Sequence, residues 1–81
     1  MDATSSIIET LKASLPAVVT RDEAHKATGG LVNKRSLANM DSLGVGPGGR
    51  VKFGHKTGYE KTAFLQWLET RLQDADKVEV A

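Results

Sequence analysis

Residues 50–61 read RVKFGHKTGYEK and contain five basic residues, counting histidine, and one acidic residue. Val51 and Phe53 alternate with Arg50 and Lys52, which is the two-residue period of a strand. A glycine-containing turn follows, and the chain then returns through a second short strand-like segment. The pattern predicts a β-hairpin with an apolar inner face and a basic outer face.

Positive charge is concentrated in the middle of the chain, although the formal net charge is only +1. Residues 34–61 hold six Lys and Arg against two Asp and Glu, a net charge of +4, whereas residues 1–33 and 62–81 have net charges of −1 and −2. This distribution is expected if one face of the protein meets a polyanion. The alternative is a chance fluctuation of surface charge.

The composition excludes several classes of protein. At 81 residues the chain is one small domain. It has no cysteine, so disulfides, thiol catalysis and Cys-type zinc sites are excluded. No apolar run approaches the roughly 18 residues of a membrane span, and the N-terminus lacks the order of a signal peptide. We therefore expect a soluble, cytoplasmic protein.

Capping signals divide the first half of the chain into helices. Residues 6–9 and 20–23 both have the form of a capping box, so each segment predicts a helix start. Gly29 and Gly30 end the second helix, and Asn33 is a good N-cap for a third. Two short helices joined by a glycine turn make a helix-turn-helix candidate, whose second helix presents its N-terminal end to the major groove.

The second half of the chain contains a glycine-rich connector and one more helix. Residues 44–49, GVGPGG, match the letters of GxGxxG. They follow a helix and precede a strand, which is the reverse of a dinucleotide-binding fingerprint, so we interpret them as a flexible connector. Thr62 is the predicted cap of the last helix, and Trp67 its main core anchor. The predicted core consists of Leu37, Met40, Phe53, Phe64, Trp67 and Leu68.

This order of elements resembles the small MerR-like winged-helix domains of excisionases and phage-type regulators. Residues 50–68, RVKFGHKTGYEKTAFLQWL, are similar to that family's wing and the capped helix after it, and residues 20–24, TRDEA, look like the start of its first recognition-unit helix. The similarity covers residues 18–72. It implies an α+β, mostly α, winged helix-turn-helix with a short β-hairpin wing, between an N-terminal helical extension at 1–17 and a flexible tail at 73–81.

The resemblance implies sequence-specific binding of double-stranded DNA. Helix 34–42 would enter the major groove, and the wing at 50–61 would lie on the backbone or in the minor groove. A recombinase or the transcription machinery would be a further partner, and the protein would be a monomer or a weak dimer on DNA. We expect no cofactor, metal or catalytic residue. The expected DNA-binding residues are Asn33, Lys34, Arg35, Ser36, Asn39, Arg50, Lys52, His55, Lys56 and Lys61.

Two other interpretations compete with this one. A small winged-helix fold can also serve as a protein-docking module. An enzyme or a metal site is weakly indicated, because His25 and His55 lie on separate predicted elements. Arg35 has its own alternative: it could cap local backbone or pair with Asp41 instead of reading bases. DNA binding predicts that the basic residues of the helix tip and of the hairpin form one continuous face.

Overall fold

Four helices and three strands make up residues 3–73, the part of the chain that the computed structural model describes. The elements in chain order are α1 (Ala3–Ser14), β1 (Val18–Thr20), α2 (Arg21–Ala27), α3 (Lys34–Ser42), β2 (Arg50–Phe53), β3 (Lys56–Glu60) and α4 (Lys61–Arg71). The predicted α+β, mostly helical class is confirmed. Within these residues no helix is both long enough and apolar enough to cross a membrane.

The N-terminal ends of α2 and α3 are fixed by the predicted caps. The Thr20 hydroxyl accepts the Glu23 N–H at 3.1 Å, and the Asn33 carboxamide oxygen accepts the Ser36 N–H at 2.8 Å. Each bond satisfies a backbone donor that has no partner inside the helix. The turn between the two helices contains Gly29 at a φ of 63°, a conformation that favours glycine.

Helix α4 begins two residues earlier than the sequence predicts. Glu60 is its N-cap, and the carboxylate accepts the backbone N–H groups of Thr62 and Ala63 at 2.8 and 3.1 Å. The prediction that Thr62 caps this helix is therefore wrong. A carboxylate with two backbone donors at a helix N-terminus caps it well, and these bonds lower the pKa of Glu60.

The three strands form an antiparallel sheet in the order β1-β3-β2. Tyr59, in the central strand, lies opposite Val19 of β1 and Arg50 of β2. The loop between β2 and β3 contains only Gly54 and His55, and Gly54 has a φ of 63°. Glycine at the first position of a two-residue hairpin loop is a favoured arrangement. The predicted hairpin is thus present.

The faces of this hairpin are the reverse of the prediction. Tyr59 is fully buried, and directly opposed residues of an antiparallel pair share a face, so Arg50 lies on the inner side. Because side chains alternate along a strand, Val51 and Phe53 face outward. They are 49% and 90% exposed. The predicted apolar inner face is wrong, and Phe53 is not a core residue.

The core lies between the sheet and the helices. Of the predicted members, Leu37, Phe64 and Leu68 are buried, whereas Met40 is only partly buried. Trp67 packs against the edge of the core and donates its Nε1–H to the Val45 carbonyl at 3.0 Å. It is therefore not the central anchor that the sequence predicts. The buried apolar side chains are Ile8, Leu11, Leu15, Val19, Ala24, Leu37, Tyr59, Phe64, Leu65 and Leu68.

Helix α1 packs on the rest of the described chain. It contributes Ile8 and Leu11 to the common core, and Leu15 follows directly after it. The Lys61 ammonium donates to the Leu15 carbonyl at 2.9 Å, so α4 is tied to the end of α1. The segment 1–17 is thus packed on the domain as far as it is described. Residues 74–81 of the predicted tail lie outside the described residues.

A polar network connects the helices to the sheet. One carboxylate oxygen of Asp41, in α3, accepts the Tyr59 hydroxyl at 2.6 Å and the Arg21 guanidinium at 2.7 Å. Arg21 also donates to the Tyr59 hydroxyl at 3.0 Å, and an Arg50 nitrogen lies 3.6 Å from the same Asp41 oxygen. The side chain of Asp41 is only 5% exposed. We call Arg21, Asp41 and Tyr59 the Asp41 network.

The Asp41 network holds its carboxylate in the charged form. Burial by itself raises the pKa of Asp41, but the hydrogen bonds from Tyr59 and Arg21 outweigh it and hold the pKa below its ordinary value of 3.8. Burial and the bond to Asp41 raise the pKa of Tyr59. A carboxyl with a depressed pKa in the folded state stabilises the fold above its unfolded pKa. That stability is lost as the pH falls through the folded pKa.

We predict that Asp41→Asn reduces stability at neutral pH and weakens its acid dependence. The loss at neutral pH should be about 2–3 kcal/mol, because the amide keeps the shape but loses charge-assisted bonds. Urea denaturation between neutral pH and about pH 3 measures both quantities. The free energy difference between parent and variant should begin to shrink below about pH 4, where the Asp41 carboxyl of the unfolded chain becomes protonated, and it should go on shrinking until the pH passes the lower pKa of the folded state. A constant difference across this range would contradict this account of the network.

Candidate nucleic-acid interface

An open groove runs between the beginning of α2, the first turns of α3 and the tip of the β2–β3 hairpin. It contains four of the predicted DNA-binding residues, which come from segments about twenty residues apart in the sequence. We call this surface the basic groove. Its lining residues are Thr20, Arg21, Asp22, Lys34, Arg35, Ala38, His55, Lys56 and Thr57.

Helix α3 supplies one wall of the basic groove. Its first two residues, Lys34 and Arg35, line the groove, and Ala38 follows one turn later. Leu37 points the other way into the core and fixes the rotation of the helix. Asn39 is exposed and lies four residues after Arg35, so the two share a helix face. The helix thus presents Arg35 and Asn39 together on its outer side.

The hairpin tip supplies the opposite wall. His55, in the loop, and Lys56, at the start of β3, line the basic groove together with Thr57. Lys52 is exposed and lies directly opposite Thr57 in the strand pairing, so both side chains are on the same face of the hairpin. Lys34 and Arg35 of the helix tip and His55 and Lys56 of the hairpin therefore border one surface, whereas Lys52 lies outside its lining.

One acidic residue also lies in the basic groove. The Asp22 carboxylate is 3.0 Å from the Lys34 ammonium, and both side chains are more than half exposed. The hydrogen bond from Lys34, and then its positive charge, lower the pKa of Asp22. In the sequence, Asp22 is only one residue of the capping segment 20–23, and it lies in the first turn of α2. No spacing pattern connects it with Lys34, because the fold of the helix pair creates the contact.

The six other predicted binding residues lie outside the groove lining; Asn39 and Lys52 are exposed, and the remaining four have other surroundings. Ser36 borders an apolar groove between α3 and α4, next to Trp67. The Lys61 ammonium is bonded to a backbone carbonyl at the end of α1, and the Arg50 guanidinium is directed at Asp41. Asn33 caps α3 with its side-chain oxygen. Each of these four residues has a structural contact, and their contact with DNA stays a prediction.

The described residues also bear on the competing interpretations. Among residues 3–73, no group of three His, Cys, Asp or Glu side chains could hold a metal ion. His25 lies in α2 and does not line the basic groove, whereas His55 does. Asp41 binds Arg21 instead of Arg35, so the alternative Arg35–Asp41 pair is not formed, and Arg35 lines the groove.

No protein-family model, curated protein or solved structure matches this chain. The main feature of the described surface is thus the basic groove, which has two cationic walls and one acidic residue, Asp22.

We predict that Asp22→Asn strengthens binding to polyanions. The change frees the Lys34 ammonium from its carboxylate partner and removes a negative charge from the groove. The variant should elute from a heparin column at higher salt than the parent. Glu23→Gln is the matched control, because it removes the same charge from the same helical turn but outside the groove lining. Equal shifts for both variants would show that net charge, and not the groove, determines retention.

Proposed function

We propose that the protein binds double-stranded DNA as a MerR-like winged helix-turn-helix domain. Helices α2 and α3 would be the helix-turn-helix, and the β2–β3 hairpin would be the wing. The observation that carries this proposal is the basic groove, in which Lys34 and Arg35 of α3 meet His55 and Lys56 of the hairpin. The element order agrees with it, since strands β2 and β3 come after the helix pair and the glycine-rich connector, and α4 comes last.

The hairpin would supply affinity without sequence information. Lys52 and Lys56 carry ammonium groups on flexible side chains, which suit contact with phosphates. Each contact releases cations that were bound to the DNA, and this release favours binding. Lys34 would exchange its bond with Asp22 for a phosphate oxygen. The cost of that exchange is small, because an ion pair between two exposed side chains is screened by water and contributes little to stability.

Helix α3 would supply sequence specificity from the major groove. Arg35 lies in the first turn, where side chains extend past the helix end toward base edges. Its guanidinium can bind the O6 and N7 atoms of guanine together, and Asn39 on the same face can bind adenine in the same bidentate way. Ala38 between them is small, so the helix backbone can approach the bases closely.

The biological setting follows from the same proposal. A small DNA-binding domain with this element order would act in the cytoplasm as a phage-type regulator or an excisionase-like protein. A recombinase or the transcription machinery would be its protein partner, and the protein would bind as a monomer or a weak dimer. The chemistry proposed here requires no cofactor or metal.

Protein docking on the same fold is the second candidate function. The apolar groove between α3 and α4 favours it, because Leu31 at its border is 73% exposed. Leu43, at the end of α3, is 76% exposed. Exposed apolar side chains beside a groove are a feature of protein-binding surfaces. This surface and the basic groove have no lining residue in common, so the two functions can be separated by mutation.

We predict that binding to duplex DNA weakens steeply with salt. With about four to six phosphates contacted, log K should fall with log salt at a slope of about −4 to −5. Lys52→Ala and Lys56→Ala should each flatten this slope by almost one unit on every sequence, as fluorescence anisotropy titrations would measure. Lys12→Ala, in the last turn of α1, is the control and should leave the slope unchanged. Unchanged slopes in both hairpin variants would remove the hairpin from the interface.

We predict that Arg35→Ala reduces specificity more than general affinity. A preferred site is first selected from random duplexes, and parent and variant are then titrated on that site and on a scrambled one. The variant should lose about 1–3 kcal/mol on the preferred site and much less on the scrambled one. Equal losses would make Arg35 a phosphate contact. Failure to enrich any sequence would favour the protein-docking function.

A further inference from the structure

The side chain of Phe53 is 90% exposed at the tip of the hairpin. A large apolar ring in this position adds almost nothing to the core, since the inner face of the hairpin is occupied by Arg50, Lys52, Thr57 and Tyr59. Gly54 follows it directly and begins the turn. The ring therefore projects from the end of a short, hydrogen-bonded ribbon, and the rest of residues 3–73 leaves it almost uncovered.

The surroundings of Phe53 are strongly cationic. Its direct partner in the strand pairing is Lys56, so the two side chains are neighbours, and Lys52 and His55 lie within two residues of it. Lys is depleted at the apolar centres of protein–protein interfaces. An aromatic ring among ammonium groups instead suits a partner whose apolar surfaces lie between negative charges. Nucleic acid is such a partner, because its stacked bases lie between phosphates.

We propose that Phe53 is an apolar wedge that enters the minor groove of duplex DNA and partly unstacks one base step. Lys56, beside the ring on the outer face, and Lys52, one residue before it on the inner face, hold phosphates near the opened step. The B-DNA minor groove is only about 6 Å wide, so it admits one side chain from a hairpin tip but no helix. This inference rests on the proposed DNA-binding function and assigns to the wing a specific role in deforming the duplex.

The wedge would select DNA by deformability. Unstacking a base step costs free energy, and burial of the ring against sugars and bases offsets that cost. Pyrimidine–purine steps such as TA are the easiest to kink. The hairpin would therefore favour sites with a flexible base-pair step beside the sequence that α3 contacts. This preference needs no hydrogen bond from Phe53 to a base edge.

The test compares Phe53→Ala, Phe53→Leu and the control Val51→Ala on a duplex of alternating TA steps with 2-aminopurine in place of one adenine. Phe53→Ala should bind about tenfold more weakly with an unchanged salt slope, because it loses apolar contact but no phosphate contact. Phe53→Leu should keep most of the affinity, since leucine also acts as a wedge. The parent, but not Phe53→Ala, should raise 2-aminopurine fluorescence by unstacking it.

The outcomes distinguish failure of the Phe53 wedge from failure of DNA binding itself. Phe53→Ala should melt like the parent, because its ring is exposed, so weaker binding would not reflect unfolding. If Phe53→Ala binds DNA and changes the fluorescence as the parent does, the wedge is overturned while DNA binding stands. If the parent does not bind the duplex even at low salt, the proposed function fails, and the wedge fails with it.

Discussion

The arrangement of this protein depends on one buried carboxylate. Asp41 lies on the inner side of α3 and accepts hydrogen bonds from Tyr59 in the central strand and Arg21 at the start of α2. A charge with so little exposure is costly unless its partners remain in place. The three elements are therefore held in one relative position, and α3 can rotate or slide only if the network breaks.

The basic groove is a consequence of that constraint. Arg35 and Lys34 project from the first turn of α3, and the hairpin tip lies at the far end of the strand that contains Tyr59. Fixing Asp41 against Tyr59 therefore fixes the separation of the two cationic walls. The same contact determines which side of the hairpin faces the core. Because the Tyr59 side chain points inward, its strand partner Arg50 also points inward, and Phe53 is left exposed to solvent. Stability and the candidate binding surface thus depend on the same side chains.

Local features of this fold could be predicted from the sequence, and long-range ones could not. The caps at Thr20 and Asn33 depend on residues three positions apart, and alternation in residues 50–53 identifies a strand. The face that a strand buries depends on the strand with which it pairs. In β2 one face carries Arg50 and Lys52 and the other carries Val51 and Phe53, and the sequence of β2 alone does not decide which face is buried. Apolar character suggested burial for Phe53, whereas a tyrosine in the neighbouring strand determined the opposite outcome.

The residues of the candidate site divide in the same way. Lys34, Arg35, His55 and Lys56 were predicted from charge and local position, and the fold brings them to one groove. Lys61 has a sequence context similar to theirs, but its ammonium is used to bind the end of α1. Asp22 was overlooked because its proximity to Lys34 exists only after α2 and α3 pack. Net charge along the chain identifies a region, and tertiary contacts decide which charges are available.

We propose that one surface, made by the start of α3 and the hairpin tip, contacts DNA. The most direct measurement is a ¹H–¹⁵N correlation spectrum of the protein recorded during titration with a short duplex. The account predicts that the amides of residues 33–39 and 52–57 shift most, while those of α1 and the exposed side of α4 remain nearly unchanged. Shifts concentrated around Leu31, Trp67 and Leu72, with residues 52–57 unaffected, would contradict it.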